Sequence, residues 1–214
     1  MGGSDLVFRE SDHSYWLGKP EEGVKLYSAT QILTLGGLVD TTYFKPEYAE
    51  RGSFIHAATE YYDREDVDLD EQDLDPGIVP YLDGYKRFIE DYRPRWEGIE
   101  QILHDPDLLI AGTIDRWGSM VLPKTTERIT VVLDIKSGSF APSHAIQLSC
   151  YAHLLTRYLG VVYTGKLPLH RYAVYLTKRG TYRVKCFTDV SDLRVFLAAQ
   201  AVVVWKERHN LLKG

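Results

Sequence analysis

Cysteine is scarce in this chain. Its 214 residues hold two thiols, Cys150 and Cys186, far apart. They build neither a disulfide framework nor a CxxC metal site. That scarcity points to a reducing, cytoplasmic setting. Long apolar runs are also missing. None approaches the ~18–20 residues that cross a bilayer, so no membrane association is expected. The opening Met1-Gly2-Gly3-Ser4-Asp5-Leu6 lacks the basic and apolar stretches of a secretory signal. Leu6 also stands where a myristoylation signal carries Ser or Thr. There is no internal repeat, no low-complexity tract, and no HExxH, GxSxG or GxGxxG motif.

A basic surplus is absent as well. The formal net charge is −5, which at first argues against nucleic acid. The deficit is local, however. Residues 60–75 carry nine acids and one arginine, and the remainder holds 24 basic and 21 acidic residues. A mildly basic body with one acidic segment is compatible with a DNA-binding cleft.

What is present fits one globular α/β domain over residues 1–214. The hydrophobic content is 44% and the charged content 26%. Residues 5–9 and 13–17 alternate apolar and polar around Ser11-Asp12 and read as a hairpin. Val24-Lys25-Leu26-Tyr27 is a short third strand. Ser28 and Gln31 form a capping box for a helix through about Leu35, ended by Gly36-Gly37. Helices are predicted over 46–63 and from Pro80 to Tyr92, with Pro94 as a stop. Residues 64–75 between them read as a solvated acidic loop. Strands follow at 99–104, 108–117 and 128–136. Ser143 is expected to cap a helix to about Leu159. Strands at 170–177 and 181–187 flank Arg179-Gly180, and Ser191 is expected to cap a last helix to about Arg208. The order predicts a mixed central sheet flanked by helices. Residues 1–98 form its hairpin and helical portion, and 99–214 its α/β core.

Three stretches carry the chemistry. Gly112-Thr113-Ile114-Asp115 and Leu133-Asp134-Ile135-Lys136 place two carboxylates and a lysine on neighbouring strands. Two carboxylates can hold a hard divalent cation. Lys136, two residues after Asp134, points to the same side of its strand. Gln147 and Tyr151 follow one helical turn apart. Asp134 sits inside an apolar strand, where an unpaired carboxylate is costly. The carbonyl of Ile135 lies between the two functional side chains and is a further candidate ligand. Each feature also has a plainer reading. Asp115 can be a turn residue or a partner of Arg116, and Lys136 a simple ion pair with Asp134. Tyr151 can be core and Gln147 solvated.

Arg51-Gly52-Ser53-Phe54-Ile55-His56, Gly112-Thr113-Ile114-Asp115, Asp134-x-Lys136 and Gln147-x-x-x-Tyr151, in that order, resemble the PD-(D/E)XK nuclease superfamily. The likeness is to the branch of RecB-type nuclease domains, Cas4-like nucleases and phage or mitochondrial exonucleases, and it spans about half the chain. It implies a restriction-endonuclease-like core and a metal-dependent DNA nuclease. An exonuclease of recombination or repair, in a bacterial or phage-infected cell, is the form it suggests first. The alternatives are a silent DNA-binding or scaffold module and a structure-specific endonuclease. The implied cofactor is Mg²⁺ or Mn²⁺. The implied partners are DNA and a recombination or single-strand-annealing protein. Two cysteines cannot hold the iron–sulfur cluster of Cas4-type relatives.

The resemblance also assigns roles. His56, Asp115, Asp134 and the Ile135 carbonyl would bind metal. Asp115, Asp134, Lys136, Gln147 and Tyr151 would form the catalytic set. Arg51, Ser137, Gln147 and Tyr151 would touch substrate, and Glu60 and Glu100 would support from behind. Glu60, four residues after His56, is placed to orient it, or else is the first acid of the acidic segment. For Glu100 a strand-edge surface charge is the competing reading.

Two apparent motifs fail on inspection. Gly160 to Lys166 matches GxxxxGK, but Leu167 replaces the required Ser or Thr and Pro168 blocks a following helix. Asp66-x-Asp68-x-Asp70 opens like an EF-hand, but Glu71 and Gly77 break it.

Overall fold

The alternation at the start of the chain closes into antiparallel pairs. β1 (Leu6–Arg9) pairs with β2 (Ser14–Leu17), and β2 with β3 (Val24–Ser28). The computed structural model describes residues 6–9, 14–20, 22–40, 45–64, 74–160 and 169–212. The Ser11-Asp12 turn, residues 65–73 of the acidic run and residues 161–168 of the GxxxxGK stretch lie outside the described residues.

The capping box forms as read. Ser28 Oγ accepts from the Gln31 amide at 3.1 Å, and Gln31 Oε1 accepts from the Ser28 amide at 2.9 Å. It opens α1 (Ala29–Leu35), which ends at Gly36. α2 (Pro46–Arg64) and α3 (Val79–Tyr92) follow. Arg93, at φ 42°, turns the chain out of α3 before Pro94. Then come β4 (Arg95–Asp105), β5 (Ile110–Val121), β6 (Arg128–Lys136), α4 (Ser143–Tyr158), β7 (Leu169–Leu176), β8 (Tyr182–Phe187) and α5 (Asp192–Arg208).

Two helix starts differ from expectation. Ser143 is already helical, and Pro142 occupies the cap position without a side-chain hydrogen bond. Ser191 stands at the cap of α5 but makes no capping bond either. Its amide instead donates to Asp189 Oδ1 at 2.8 Å. β4 and β5 are each longer than their apolar segments suggest. Their antiparallel pairing extends from Asp105↔Ile110 to Arg95↔Ser119, which carries polar residues along with apolar ones.

The eight described strands join one mixed sheet, ordered β1-β2-β3-β5-β6-β7-β8, with β4 on β5. The hairpin portion and the predicted core thus share that sheet. β4 covers one edge of β5 over most of its length, so β3 and β6 must share the other. β3 meets it in parallel at Ile110 and Ala111, and β6 antiparallel from Arg116 onward. Gly112 to Asp115 fall between these two partners, and that opening is where the candidate site lies.

Helices cover both faces. α1, α4 and α5 pack with Val132 of β6, Ile114 of β5 and Ala173 of β7. α2 and α3 pack with Val131, Leu133 and Ile135 of β6 and Val174 of β7. Period-two alternation along β6 therefore sends Asp134 and Lys136 to the α4 face. Among the described residues no helix is long and apolar enough to cross a membrane.

Candidate active site

β5 loses its regular alternation at Asp115. Ile114 lies in the core beneath α4, whereas Arg116, two residues on, reaches Asp63 and Thr59 of α2. Regular pleating would put both on one face. Across the ladder, Ile99↔Arg116 and Gln101↔Ile114 place Glu100 opposite Asp115. Glu100 has φ 47°, a conformation that residues other than glycine rarely adopt. Both strands are thus distorted where two carboxylates face each other.

Asp115 points into the opening left by the partner change. Its Oδ2 accepts from the Ile135 amide at 2.6 Å, where a strand carbonyl would stand in an unbroken ladder. In a strand the amide and carbonyl of one residue leave on the same side. The Ile135 carbonyl therefore faces the same opening. His56, on α2, brings Nδ1 to 3.6 Å from Asp115 Oδ2 and 3.5 Å from Glu100 Oε1. One ligand atom each from His56, Glu100 and Asp115 lies within 4.8 Å of the others.

Asp134 stands outside this closest trio, although sequence reading had grouped it with His56 and Asp115. It is almost fully buried, and Lys136 Nζ sits 3.0 Å from Oδ1 and 2.8 Å from Oδ2. The contact to Oδ2 is out of line for a hydrogen bond, which leaves that buried oxygen without a donor. Lys136 also donates to Gln147 Oε1 at 3.0 Å, and Gln147 Nε2 donates to the Tyr151 hydroxyl at 2.9 Å. One turn of α4 thus holds the lysine in place. Tyr151 is buried against Gly112, where an added Cβ would come within 2.9 Å of the ring.

Burial dominates the electrostatics. It pushes both Asp115 and Asp134 up from the ordinary carboxylate value; Glu100 adds to the rise at Asp115, and Asp115 adds to that at Asp134. His56 and Lys136 oppose the rise. Burial alone would lower His56, but Asp115 and Glu100 outweigh it and hold the imidazole up at about 9. Without a cation, the cluster draws protons to offset its charge. A divalent cation suits the same acids and would displace those protons.

Behind the cluster lies a second polar layer. The fully buried Arg116 donates to Asp63 Oδ2 at 2.6 Å, Glu100 Oε1 at 3.0 Å, Thr59 Oγ1 at 3.3 Å and the Asp115 carbonyl at 2.6 Å. The Tyr85 hydroxyl donates to Asp63 Oδ2 at 2.5 Å. Asp63 and Tyr85 were missed in the sequence, and Arg116 was read only as a possible partner of Asp115. An arginine within a strand this apolar was the available signal, because a buried guanidinium needs acids around it.

The remaining expected residues are placed differently. Glu60 lines the cleft but pairs with Arg64 at 2.8 Å. The acids within ion-pair reach of His56 Nδ1 are Glu100 and Asp115. Glu100 stands beside His56 and Asp115 rather than behind them. Arg51 lies 5.1 Å from the Tyr48 ring and 5.9 Å from the Tyr81 ring, and it is not among the residues lining the cleft. Ser137 approaches α2 at Gly52.

The cleft has a volume of about 1080 Å³. Asp115, Asp134, Lys136 and Thr113 of the sheet line it, together with Phe8 and Tyr15 of the hairpin and Ala49, Ser53 and His56 of α2. Tyr15 bonds Thr113 at 2.9 Å and ties the hairpin to β5. No protein-family model and no curated protein matches the chain.

Proposed function

We propose that this chain is a divalent-metal-dependent DNA nuclease with a PD-(D/E)XK-type core. One observation carries the reading. Two buried carboxylates, a lysine bound to one of them, and a converging His–Glu–Asp trio meet at the opening in β5, in a cleft bounded by the hairpin and α2. The donor set, carboxylate oxygen plus imidazole nitrogen, suits Mg²⁺ or Mn²⁺. Asp134 adds a buried carboxylate beside this set, ion-paired with Lys136. His56, Glu100, Asp115 and Asp134 would hold the ion, with the Ile135 carbonyl facing the same space. Such an ion supplies Lewis acidity, which polarises a phosphoryl oxygen and makes water a stronger nucleophile at neutral pH.

The chain's own groups do the rest. Lys136 brings a fixed positive charge to the cleft, where negative charge grows on the phosphate oxygens during attack. Gln147 holds the ammonium through its amide oxygen and is itself held by Tyr151. Tyr151 therefore acts as a positioning residue. Arg116 fixes Glu100 from behind. Cleavage adds water to one P–O bond and leaves a phosphate monoester and a hydroxyl.

The test is degradation of linear and circular, single- and double-stranded DNA with Mg²⁺, Mn²⁺ or EDTA. Metal-dependent loss of linear DNA alone supports an exonuclease, and cleavage of circles an endonuclease. DNA binding without cleavage in either metal would contradict the proposal in favour of a silent module.

A further inference from the structure

A second cavity lies at the carboxyl ends of the parallel strands β6 and β7, two residues along the chain from the cleft. It measures about 540 Å³ and is lined by Gly138, Ser139, Phe140, Thr177, Arg183 and Lys185, among others. The chain passes from cleft to cavity in two residues, from Lys136 through Ser137 to Gly138. Helix α4 spans both. Its first turn places His144 against Phe140 and Tyr175, and the next places Gln147 in the cleft.

The charge of this cavity is one-sided. Two exposed cations, Arg183 and Lys185, line it, and no acid does. The lysine has no carboxylate within ion-pair reach among the described contacts. It rests 3.4 Å from the centroid of the Phe140 ring and 5.5 Å from that of Phe187. Phe140 is 48% exposed. An ammonium parked on an aromatic face is held weakly when exposed and is released readily to a stronger anion.

We propose that this cavity is the subsite for the DNA strand flanking the scissile phosphate. Arg183 and Lys185 take its phosphates, and the Phe140 ring, freed of the lysine, stacks one unpaired base. The proposal rests on the nuclease reading above and deepens it. Phosphate contacts fix register without reading sequence. An aromatic ring beside a basic groove favours a single strand, because a paired base has no free face to stack.

Arg183→Gln with Lys185→Gln, and separately Phe140→Ala, test it. Both cations are exposed on β8, so the pair should fold, and its melting temperature is measured first. Hydrolysis of bis(p-nitrophenyl) phosphate, too small to reach the cavity, should be unchanged. For a short single-stranded oligothymidylate, KM should rise about tenfold in either variant. The salt dependence of binding, measured in EDTA by fluorescence anisotropy, should flatten by about 1.4 in log–log slope when both cations are removed. Wild-type KM and an unchanged salt slope would overturn the subsite and leave the nuclease reading standing. If the wild-type protein cleaves neither substrate with metal, the nuclease reading falls. The anisotropy arm then decides only the single-strand-binding part of the proposal. Weaker, flatter binding by the double variant supports it, and identical binding overturns it.

Discussion

Lys136 and Asp134 are paired in space, yet their roles separate on substitution. An ammonium does not ligate a cation. Lys136→Ala should therefore lose about 10²–10³-fold in turnover, the cost of removing one preorganised charge at a reacting centre. Mn²⁺ binding by calorimetry should survive. Asp134→Ala should lose both. Loss of metal binding in folded Lys136→Ala protein would contradict the assignment. Tyr151→Phe removes the acceptor of the Gln147 amide inside a buried site. It should lower stability by about 1 kcal/mol and reduce kcat more than KM. His144 gives a pH test away from the ligands. Burial chiefly, and Lys136 in addition, hold its imidazole down at about 4, against the weaker pull of Asp134. The folded state keeps it neutral while the unfolded state protonates near 6.5. Its contribution is thus present above pH 6.5 and lost as pH falls toward 4. The buried carboxylates act in the opposite sense, so the difference between wild type and His144→Gln is the quantity to measure. The variant's melting temperature should fall less than wild type's over that range.

At the scale of elements, the site depends on the partner change along β5. Gly112 lies in the stretch that neither β3 nor β6 covers, under the Tyr151 ring. Gly112→Ala places a methyl 2.9 Å from that ring, so the ring or α4 must shift. We expect at least a tenfold loss of kcat by way of Gln147 and Lys136, larger than the loss in stability alone would give. Wild-type kcat in that variant would remove the link from Gly112 to Lys136. Much of this architecture was legible in the sequence. The two-residue spacing of Asp134 and Lys136 put both on one side of their strand, and the Ser28–Gln31 box marked α1. The distortion at Asp115 and Glu100 was not legible, because nothing local to either residue encodes a left-handed turn in a strand. The cap expectations at Ser143 and Ser191 failed for a related reason. Both residues sit at helix starts, but the tertiary fold sets the backbone there in helical geometry and leaves the hydroxyls without an aligned amide.

Over the whole molecule, two polar layers stand one behind the other. The front layer, His56, Glu100, Asp115 and Asp134, offers ligand atoms to the cleft. The rear layer, Arg116, Asp63 and Tyr85, carries no exposed group and holds Glu100 from inside. The sequence order of the resembling motifs placed most of the front layer. It could not place the rear one, because Asp63 reads as part of an acidic run and pairs across 53 positions with Arg116. Breaking the rear layer should cost more stability than any front-layer change. Arg116→Met would leave Asp63 and Glu100 without their buried cation, and a loss of about 3–5 kcal/mol in urea unfolding is expected. The front layer is the one the proposal assigns to metal. The most direct test of the account is the single-turnover cleavage rate of an end-labelled DNA strand against Mn²⁺ concentration, for wild type and Asp134→Asn. The account predicts no cleavage in EDTA, a saturating rise with Mn²⁺ for wild type, and a flat line for the variant. Cleavage that persists in EDTA, or a variant that rises like wild type, would contradict it.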